Sequence, residues 1–449
     1  MKRKLFVIIL FTAVLMFARV VVSAEKTTGI KTPVSEFQKE TKCKNVSVAV
    51  YKNGETSFYG DSDGLYQIGS MTKAFTGLAI QKLIIEGKLS ADDKVSDLIP
   101  GFEAYYESEK ADISVRNLLD QKSGFTNNEK DYPSATEEMN LEEWAQSISG
   151  SQLKNMPGSE YSYSNVNYNL LGLIIEKVTG MTYEDYMEKE ILAPLGLRNT
   201  FVGKPNNDKI VEGARLGYRH AFKYSIPVKE ASIPAGYFYS NTGDMAEWIR
   251  IWMLDEEVPG GFEEAIKLTK EQLAFEGDYT SGWEMFSDDV IGHSGGTPNY
   301  SSRIVFSDKE KCGVCVLTNL NVAASTDSLC NNIFGLLTDK EQGNIATDIW
   351  TIFDTIFTAL SIVSILLFIG VIFVKNRIVL AVSDAFLIIL FTLMIILFPI
   401  IFGAGLKAIL FTWAPLSLSG GLLIMMLNIV FISIKSVMVI KNANYNKAG

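Results

Sequence analysis

Apolar and polar residues recur at short periods over the first three quarters of the chain, and over the last hundred residues the polar positions almost disappear. Val46-Ser47-Val48-Ala49-Val50 opens a strand pattern that runs to Tyr51, and Lys52-Asn53-Gly54-Glu55 behind it is a hairpin-turn signal. From Ser70 to Gly87 the residues Phe75, Leu78, Ala79, Leu83 and Ile84 fall at helical spacing, with Gly87 as the stop. Tyr168–Val178, closed by Gly180, predicts a second helix, and Asp244–Met253 a third with Trp248, Ile249 and Trp252 on its apolar face. Ser302–Phe306 and Cys312–Leu317 predict two adjacent strands joined by the polar turn Ser307–Glu310. No internal repeat interrupts this order. Strands at both ends with helices between them point to an α+β domain, one antiparallel sheet flanked by helices.

The apolar end of the chain contains three runs of 23–25 residues, near Ile352–Val374, Ile378–Phe402 and Phe411–Lys435, each long enough to cross a bilayer. Lys375 and Arg377 lie between the first two, and Lys435, Lys441 and Lys447 follow the third. A bias of this kind predicts that those segments are cytoplasmic and that everything before Trp350 is outside. Trp350 and Trp413 then fall at the outer interface, where indole rings prefer to sit. Asp354 and Asp384 lie toward helix ends and read as interfacial charges. At the other terminus, Met1-Lys2-Arg3-Lys4, the apolar run Leu5–Phe17 and the small residues Val22-Ser23-Ala24 have the order of a secretory signal, with Arg19 leaving an uncleaved anchor as the alternative. The expected plan is a signal peptide over 1–24, an extracytoplasmic domain over 25–338, a polar linker over 339–349 and a membrane region over 350–449.

Charge sharpens the picture. The net charge of −10 combines +4 over residues 1–24 and +4 over residues 350–449, which leaves −18 for residues 25–349. So acidic a domain repels nucleic acid and anionic lipid surfaces, which excludes a nucleic-acid partner and suits a soluble enzyme held beside a membrane. Of the four cysteines, Cys312 and Cys315 form a C-x-x-C, but no second pair or nearby histidine completes a zinc site, and the segment reads as a buried strand. Export permits a disulfide without selecting a pairing. No metal or other cofactor is implied.

Three short motifs carry the candidate chemistry. Gly69-Ser70-Met71-Thr72-Lys73 is an S-x-x-K at the start of a helix, and residues three apart share a helix face, so the Lys73 amine can reach the Ser70 hydroxyl. Tyr163-Ser164-Asn165 adds a phenol whose pKa a neighbouring ammonium would lower, and an amide that can bond both a lysine and a substrate carbonyl. His293-Ser294-Gly295-Gly296, placed just before the strand Ser302–Phe306, allows a substrate to lie close along the backbone. A backbone N–H there, with that of Ser70, can form an oxyanion hole, and His293 is a candidate substrate contact. Gly292–Gly296 also fits G-x-S-x-G, but that arrangement needs a histidine after the serine and none follows Ser294.

In this order and spacing, S-x-x-K, Y-x-N and H-x-G resemble the serine β-lactamase-like hydrolases, the group of class C β-lactamases, D,D-peptidases and esterases. Ser114–Leu119, Ser123-Gly124-Phe125, Pro157-Gly158 and Ile233–Gly236 add to the likeness, which spans roughly residues 45–320. The resemblance implies a sheet flanked by helices plus an all-helical part. It also implies an acyl-enzyme formed on Ser70, with Lys73 and Tyr163 moving its proton, Asn165, His293, Gly295 and Gly296 around the substrate, and no cofactor. The whole plan, with three C-terminal membrane helices, is similar to the prodrug-activating D-asparaginyl peptidases. That group has a glutamate where this chain has Gln67, a serine at Asn165, a histidine at Ser232 and an asparagine at Thr297. Those positions are expected around the substrate, and their differences put D-asparagine specificity aside, because a site built on hydrogen bonds to one group discriminates strongly against others.

The expectation is therefore a membrane-anchored extracytoplasmic serine hydrolase acting on a small-molecule or peptide amide or ester. The competing readings are a penicillin-binding receptor that acylates without turning over, and a hydrolase accompanying a membrane binding or transport module.

Overall fold

The computed structural model describes residues 29–127, 131–133, 135–255, 257–276, 279–287 and 289–448. The expected signal peptide lies outside the described residues.

Strands β1 (Val46–Lys52) and β2 (Glu55–Tyr59) form the expected hairpin, turned by Asn53 and Gly54, both with left-handed φ. Five more strands, β3 (Tyr279–Thr280), β4 (Trp283–Ser287), β5 (Val290–Thr297), β6 (Tyr300–Ser307) and β7 (Cys312–Thr318), follow late in the sequence. All seven join one antiparallel sheet in the order β3-β4-β5-β6-β7-β1-β2. The β1–β7 ladder, Val46 against Thr318 through Lys52 against Cys312, ties the two ends of the domain together. Alternation along β1 sends Val48 and Val50 to one face and Ala49 and Tyr51 to the other. The first face is covered by helix α1 (residues 29–41) and a helix late in the domain, Ala323–Leu337. The second packs against the helices that carry the motifs.

Those helices are α2 (Thr72–Ile85), α3 (Asn165–Thr179) and α4 (Thr242–Met253); Ala323–Leu337 is then α5. The core between them is aromatic: Phe75 of α2 stacks on Trp248 of α4 at 4.0 Å between ring centres, and Trp248, Trp252 and Trp283 continue the cluster. An α+β architecture of this kind is the one expected. All four cysteines are buried free thiols, and Cys312 and Cys315 lie in the buried strand β7, as their segment predicts.

Among the described residues, three helices are long and apolar enough to cross a membrane: α6 (Ile349–Phe373), α7 (Arg377–Ile401) and α8, which begins at Leu416. The third span starts five residues later than the hydropathy suggests. Pro415 cannot donate to a helix ladder, so residues Ile409–Trp413 close into a separate turn, with the Ala414 N–H on the Ile409 carbonyl. Asp354, near the start of α6, is fully buried, accepting from the Ser417 hydroxyl of α8 at 2.7 Å and from the backbone N–H of Arg219, in the domain that precedes the membrane-length helices, at 2.8 Å. Asp384 is likewise engaged, by the Ser433 hydroxyl at 2.6 Å. Lys435 caps the end of α6, donating to the carbonyls of Val371 and Ile372.

Candidate active site

Ser70 sits in a single tight turn, Gly69–Met71, that leads into α2. Gly69 has φ +53°, and a Cβ on it would stand 2.5 Å from the Gly296 nitrogen, so only glycine lets the serine turn lie against β5. The Thr72 hydroxyl holds the Gly69 carbonyl at 2.7 Å, and the Ser302 hydroxyl holds that of Ile68 at 2.8 Å. From the other side, Gly282 and Ser281 press on the first turns of α2: a Cβ on Gly282 would meet Ala74 N at 2.2 Å, and one on Gly77 the Ser281 carbonyl at 2.1 Å.

Lys73, one turn on, is fully buried. Its Nζ lies 3.0 Å from Ser70 Oγ, 2.7 Å from Asn165 Oδ1 and 2.6 Å from the Ala235 carbonyl oxygen. Burial holds its pKa well below the usual lysine range, and no carboxylate offsets that cost. A neutral amine has two protons and one lone pair. In that form the two carbonyl oxygens can take the protons and the lone pair is left for the Ser70 hydroxyl, whereas the protonated amine donates to all three oxygens.

The Tyr163-Ser164-Asn165 segment is positioned by the loop before it. The Ser164 N–H donates to Gln121 Oε1 and its hydroxyl to the Thr126 carbonyl, and the Ser123 hydroxyl bonds Asn167 Oδ1. Gly124, at φ +88°, is needed where a Cβ would stand 2.1 Å from the Asn155 carbonyl. The Tyr163 ring keeps an exposed edge, but its hydroxyl is enclosed and bonds Ser70. Burial raises its pKa above that of an ordinary phenol, the hydrogen bond to Ser70 working in the opposite direction. The lowered value expected from the sequence is therefore reversed: enclosure of the hydroxyl outweighs its hydrogen bond to Ser70. Lys73 Nζ lies 5.0 Å from the centre of the Tyr163 ring and 5.7 Å from that of Tyr168.

Ser70, Asn165, Ser232, Gly296 and Thr297 line one open cleft. His293, Gly295 and Gln67 do not. His293 is 2% exposed within β5: its Nδ1–H donates to the Ser294 carbonyl at 2.6 Å, and its Nε2 faces the Tyr279 hydroxyl at 3.3 Å. Burial, with a smaller contribution from Lys73, lowers its pKa to about 3, so the ring is neutral and braces the tyrosines. The segment is itself a strand just before β6, with which β5 pairs residue by residue from Val290 to Thr297. Gly295 is packed under the Ile68 carbonyl, which a Cβ would approach to 2.0 Å. Gln67 is buried in a two-residue ladder with Tyr239.

The motifs also leave out residues that the fold brings in. The Ala235 carbonyl is a backbone acceptor, although the segment Ile233–Gly236 flagged its neighbourhood. Tyr279, against Tyr163, comes from the short strand β3 and carries no motif. Lys229, Asn127 and Asn169 add polar groups to the cleft, and Tyr132, Trp144, Val166 and Trp413 add apolar wall. Trp413 comes from the turn between the second and third membrane-length helices.

The chain has relatives of known family and fold. The sequence profile of the Beta-lactamase family matches residues 31–331. The chain belongs to that family. Among curated relatives of this beta-lactamase-family chain, Protein flp of Staphylococcus aureus (strain MRSA252) is 34% identical over 302 residues, which cover 61% of this chain and 59% of the relative. The match thus spans less than two thirds of that relative's length. A putative D-alanyl-D-alanine carboxypeptidase of Escherichia coli (strain K12) is 37% identical over 145 residues, 30% of this chain and 33% of that one. The octameric penicillin-binding protein homologue from Pyrococcus abyssi superposes with a TM-score of 0.60 at 25% identity, covering 71% of this chain and 79% of the other. A class C beta-lactamase in complex with cefoxitin gives a TM-score of 0.60 at 17% identity, over 70% and 99% of the two chains, a likeness of fold alone.

Proposed function

We propose that the protein is a serine hydrolase that cleaves an amide or ester through an acyl-enzyme on Ser70. The observation that carries this reading is the fully buried Lys73 amine, its pKa lowered by burial, held 3.0 Å from Ser70 Oγ by Asn165 Oδ1 and the Ala235 carbonyl. Lys73 takes the Ser70 proton as Oγ adds to the substrate carbonyl. The carbonyl oxygen becomes an oxyanion held by the backbone N–H groups of Ser70 and Gly296, which border the same cleft. The proton on Lys73 passes by way of the Tyr163 hydroxyl to the leaving nitrogen or oxygen, the carbonyl re-forms, and the acyl group remains on Ser70 as an ester. Water then adds to that ester, gives its proton back along Tyr163 and Lys73, and Ser70 is released. Asn165 has its Oδ1 committed to Lys73, so its Nδ2 is the end available to a substrate carbonyl. Ser232 and Thr297 border the same space and are assigned to substrate contact. The test is turnover of an activated ester such as p-nitrophenyl acetate by the full chain: an initial burst of product matching the enzyme concentration, absent in Ser70→Ala, is expected. Turnover that survives Ser70→Ala would sink the proposal.

The hydrolase domain is assigned to the extracytoplasmic side, on the strength of the Lys and Arg residues in the segments at the far ends of the three membrane-length helices. A tag appended after Lys447 should resist external protease in intact cells while the hydrolase domain is cut. Cleavage of that tag would reverse the orientation.

A further inference from the structure

The cleft is not built by the hydrolase domain alone. Trp413, which lines it together with Ser70, belongs to the turn Ile409–Trp413 that connects two membrane-length helices. This turn is fixed rather than resting on the domain by chance. The nearly buried Arg215 guanidinium donates to two of its carbonyls, Phe411 at 3.0 Å and Leu410 at 2.6 Å, and through Nε to that of Ala414 just after it at 2.6 Å. Tyr224 adds its hydroxyl to the Phe411 carbonyl at 2.8 Å. Behind it the hairpin Ala214–Gly217 and His220–Lys223 fits so closely on α8 that a Cβ on Gly217 would stand 2.7 Å from Leu416 Cβ. Charge-assisted bonds to three backbone acceptors give the turn one position, and that position puts an indole in the wall of the cleft.

The same tryptophan faces a second small cavity beyond it, shared with Pro298, Leu320 and Trp350. Trp350 lies in the first turn of α6, and Phe411, two residues before Trp413, is 64% exposed on the outside of the turn. Indoles at the starts of membrane-length helices sit at the level of the lipid headgroups. The cleft therefore opens at the depth of the interface, with its apolar wall continuous with the membrane turn.

We infer that the substrate is an amphiphile presented from the bilayer, with its apolar portion lying on Trp413 and its scissile carbonyl at Ser70. This inference rests on the acyl-enzyme reading above and deepens it by naming a substrate class. Trp413 is a specificity-determining residue, and Arg215 is the positioning residue that holds it. The three membrane-length helices then serve as part of the site as well as an anchor.

The experiment uses the full chain in lipid nanodiscs and compares kcat/KM for p-nitrophenyl decanoate with that for p-nitrophenyl acetate. Partition of the long ester into the disc is the same for every variant, so the ratio between variants reports the protein. Trp413→Ala is expected to lower the decanoate-to-acetate ratio by about tenfold or more, the scale on which an apolar pocket contact discriminates. Trp413→Phe should keep most of the ratio, and Trp413→Gln, which retains bulk without an apolar face, should behave like the alanine variant. Labelling of Ser70 by a fluorophosphonate checks that each variant is folded and competent. An unchanged ratio in labelled Trp413→Ala and Trp413→Gln would overturn the inference and leave the acyl-enzyme reading standing. Absence of turnover on both esters, with Ser70 unlabelled in the wild-type chain, would overturn that reading and this inference together.

Discussion

Lys73→Ala should lower turnover of any accepted ester or amide by roughly 10²–10⁴-fold, the range in which a positioned proton acceptor acts. The substitution removes the lone pair that faces Ser70 Oγ at 3.0 Å and leaves Asn165 Oδ1 and the Ala235 carbonyl without the amine they share. Its pH dependence follows from the direction of the shift. Burial lowers the Lys73 pKa, so the amine is neutral and basic over the upper part of the pH range. Activity is present above that lowered pKa and is lost as pH falls through it and the amine takes a proton. His293, with its pKa near 3, stays neutral across the range in which enzymes are ordinarily assayed and adds no second limb there. The check is kcat/KM against pH for the wild-type chain and for Lys73→Ala. A wild-type profile that rises as pH falls, or an alanine variant within a few-fold of wild type, would remove Lys73 from the role of base.

Gly282→Ala should destabilise the fold by roughly 2–5 kcal/mol, summing a left-handed backbone position with a steric conflict against the main chain. Gly282 has φ +83°, and the added Cβ would stand 2.2 Å from Ala74 N and 2.3 Å from the Lys73 carbonyl carbon. These atoms are backbone of the first turn of α2, so no side chain can swing away to make room. Helix and shelf must separate, carrying Lys73 away from Ser70. Lowered thermal stability of the full chain, by about 5–15 °C, together with lost turnover is the expected result. An alanine variant with unchanged melting and unchanged turnover would show that the shelf does not hold the helix.

The parts of this molecule that a reader could find in the sequence are those encoded within one turn or one strand. Ser70 and Lys73 meet because three residues of helix bring them to one face. The β1–β2 hairpin follows from Asn53-Gly54, and the alternating valines of β1 announce its two-faced burial. What stayed hidden depends on distant segments. His293-Ser294-Gly295-Gly296 carries glycines that weaken any strand signal, and only the full ladder with β6 makes it strand. His293 looks like a substrate contact until Tyr279, from another strand, closes over it. The direction of the Tyr163 pKa follows from how deeply its own hydroxyl is enclosed, and no pattern of three or four residues reports that. Asp354 reads as a boundary charge because its partners, Ser417 and the backbone of Arg219, lie far away along the chain. Trp413 reads in the sequence as an interfacial indole. That it also borders the Ser70 cleft depends on Arg215 and its three carbonyl acceptors, a contact between two regions that the hydropathy pattern treats as separate.

The central claim is that Ser70 is the residue acylated, and the most direct measurement is the position of the covalent adduct. The full chain, treated with a fluorophosphonate and digested, is expected to carry the phosphonyl group on the peptide containing Gly69-Ser70-Met71-Thr72-Lys73, with the adduct lost in Ser70→Ala. An adduct on Ser294, or on any other serine with Ser70 unmodified, would contradict the account.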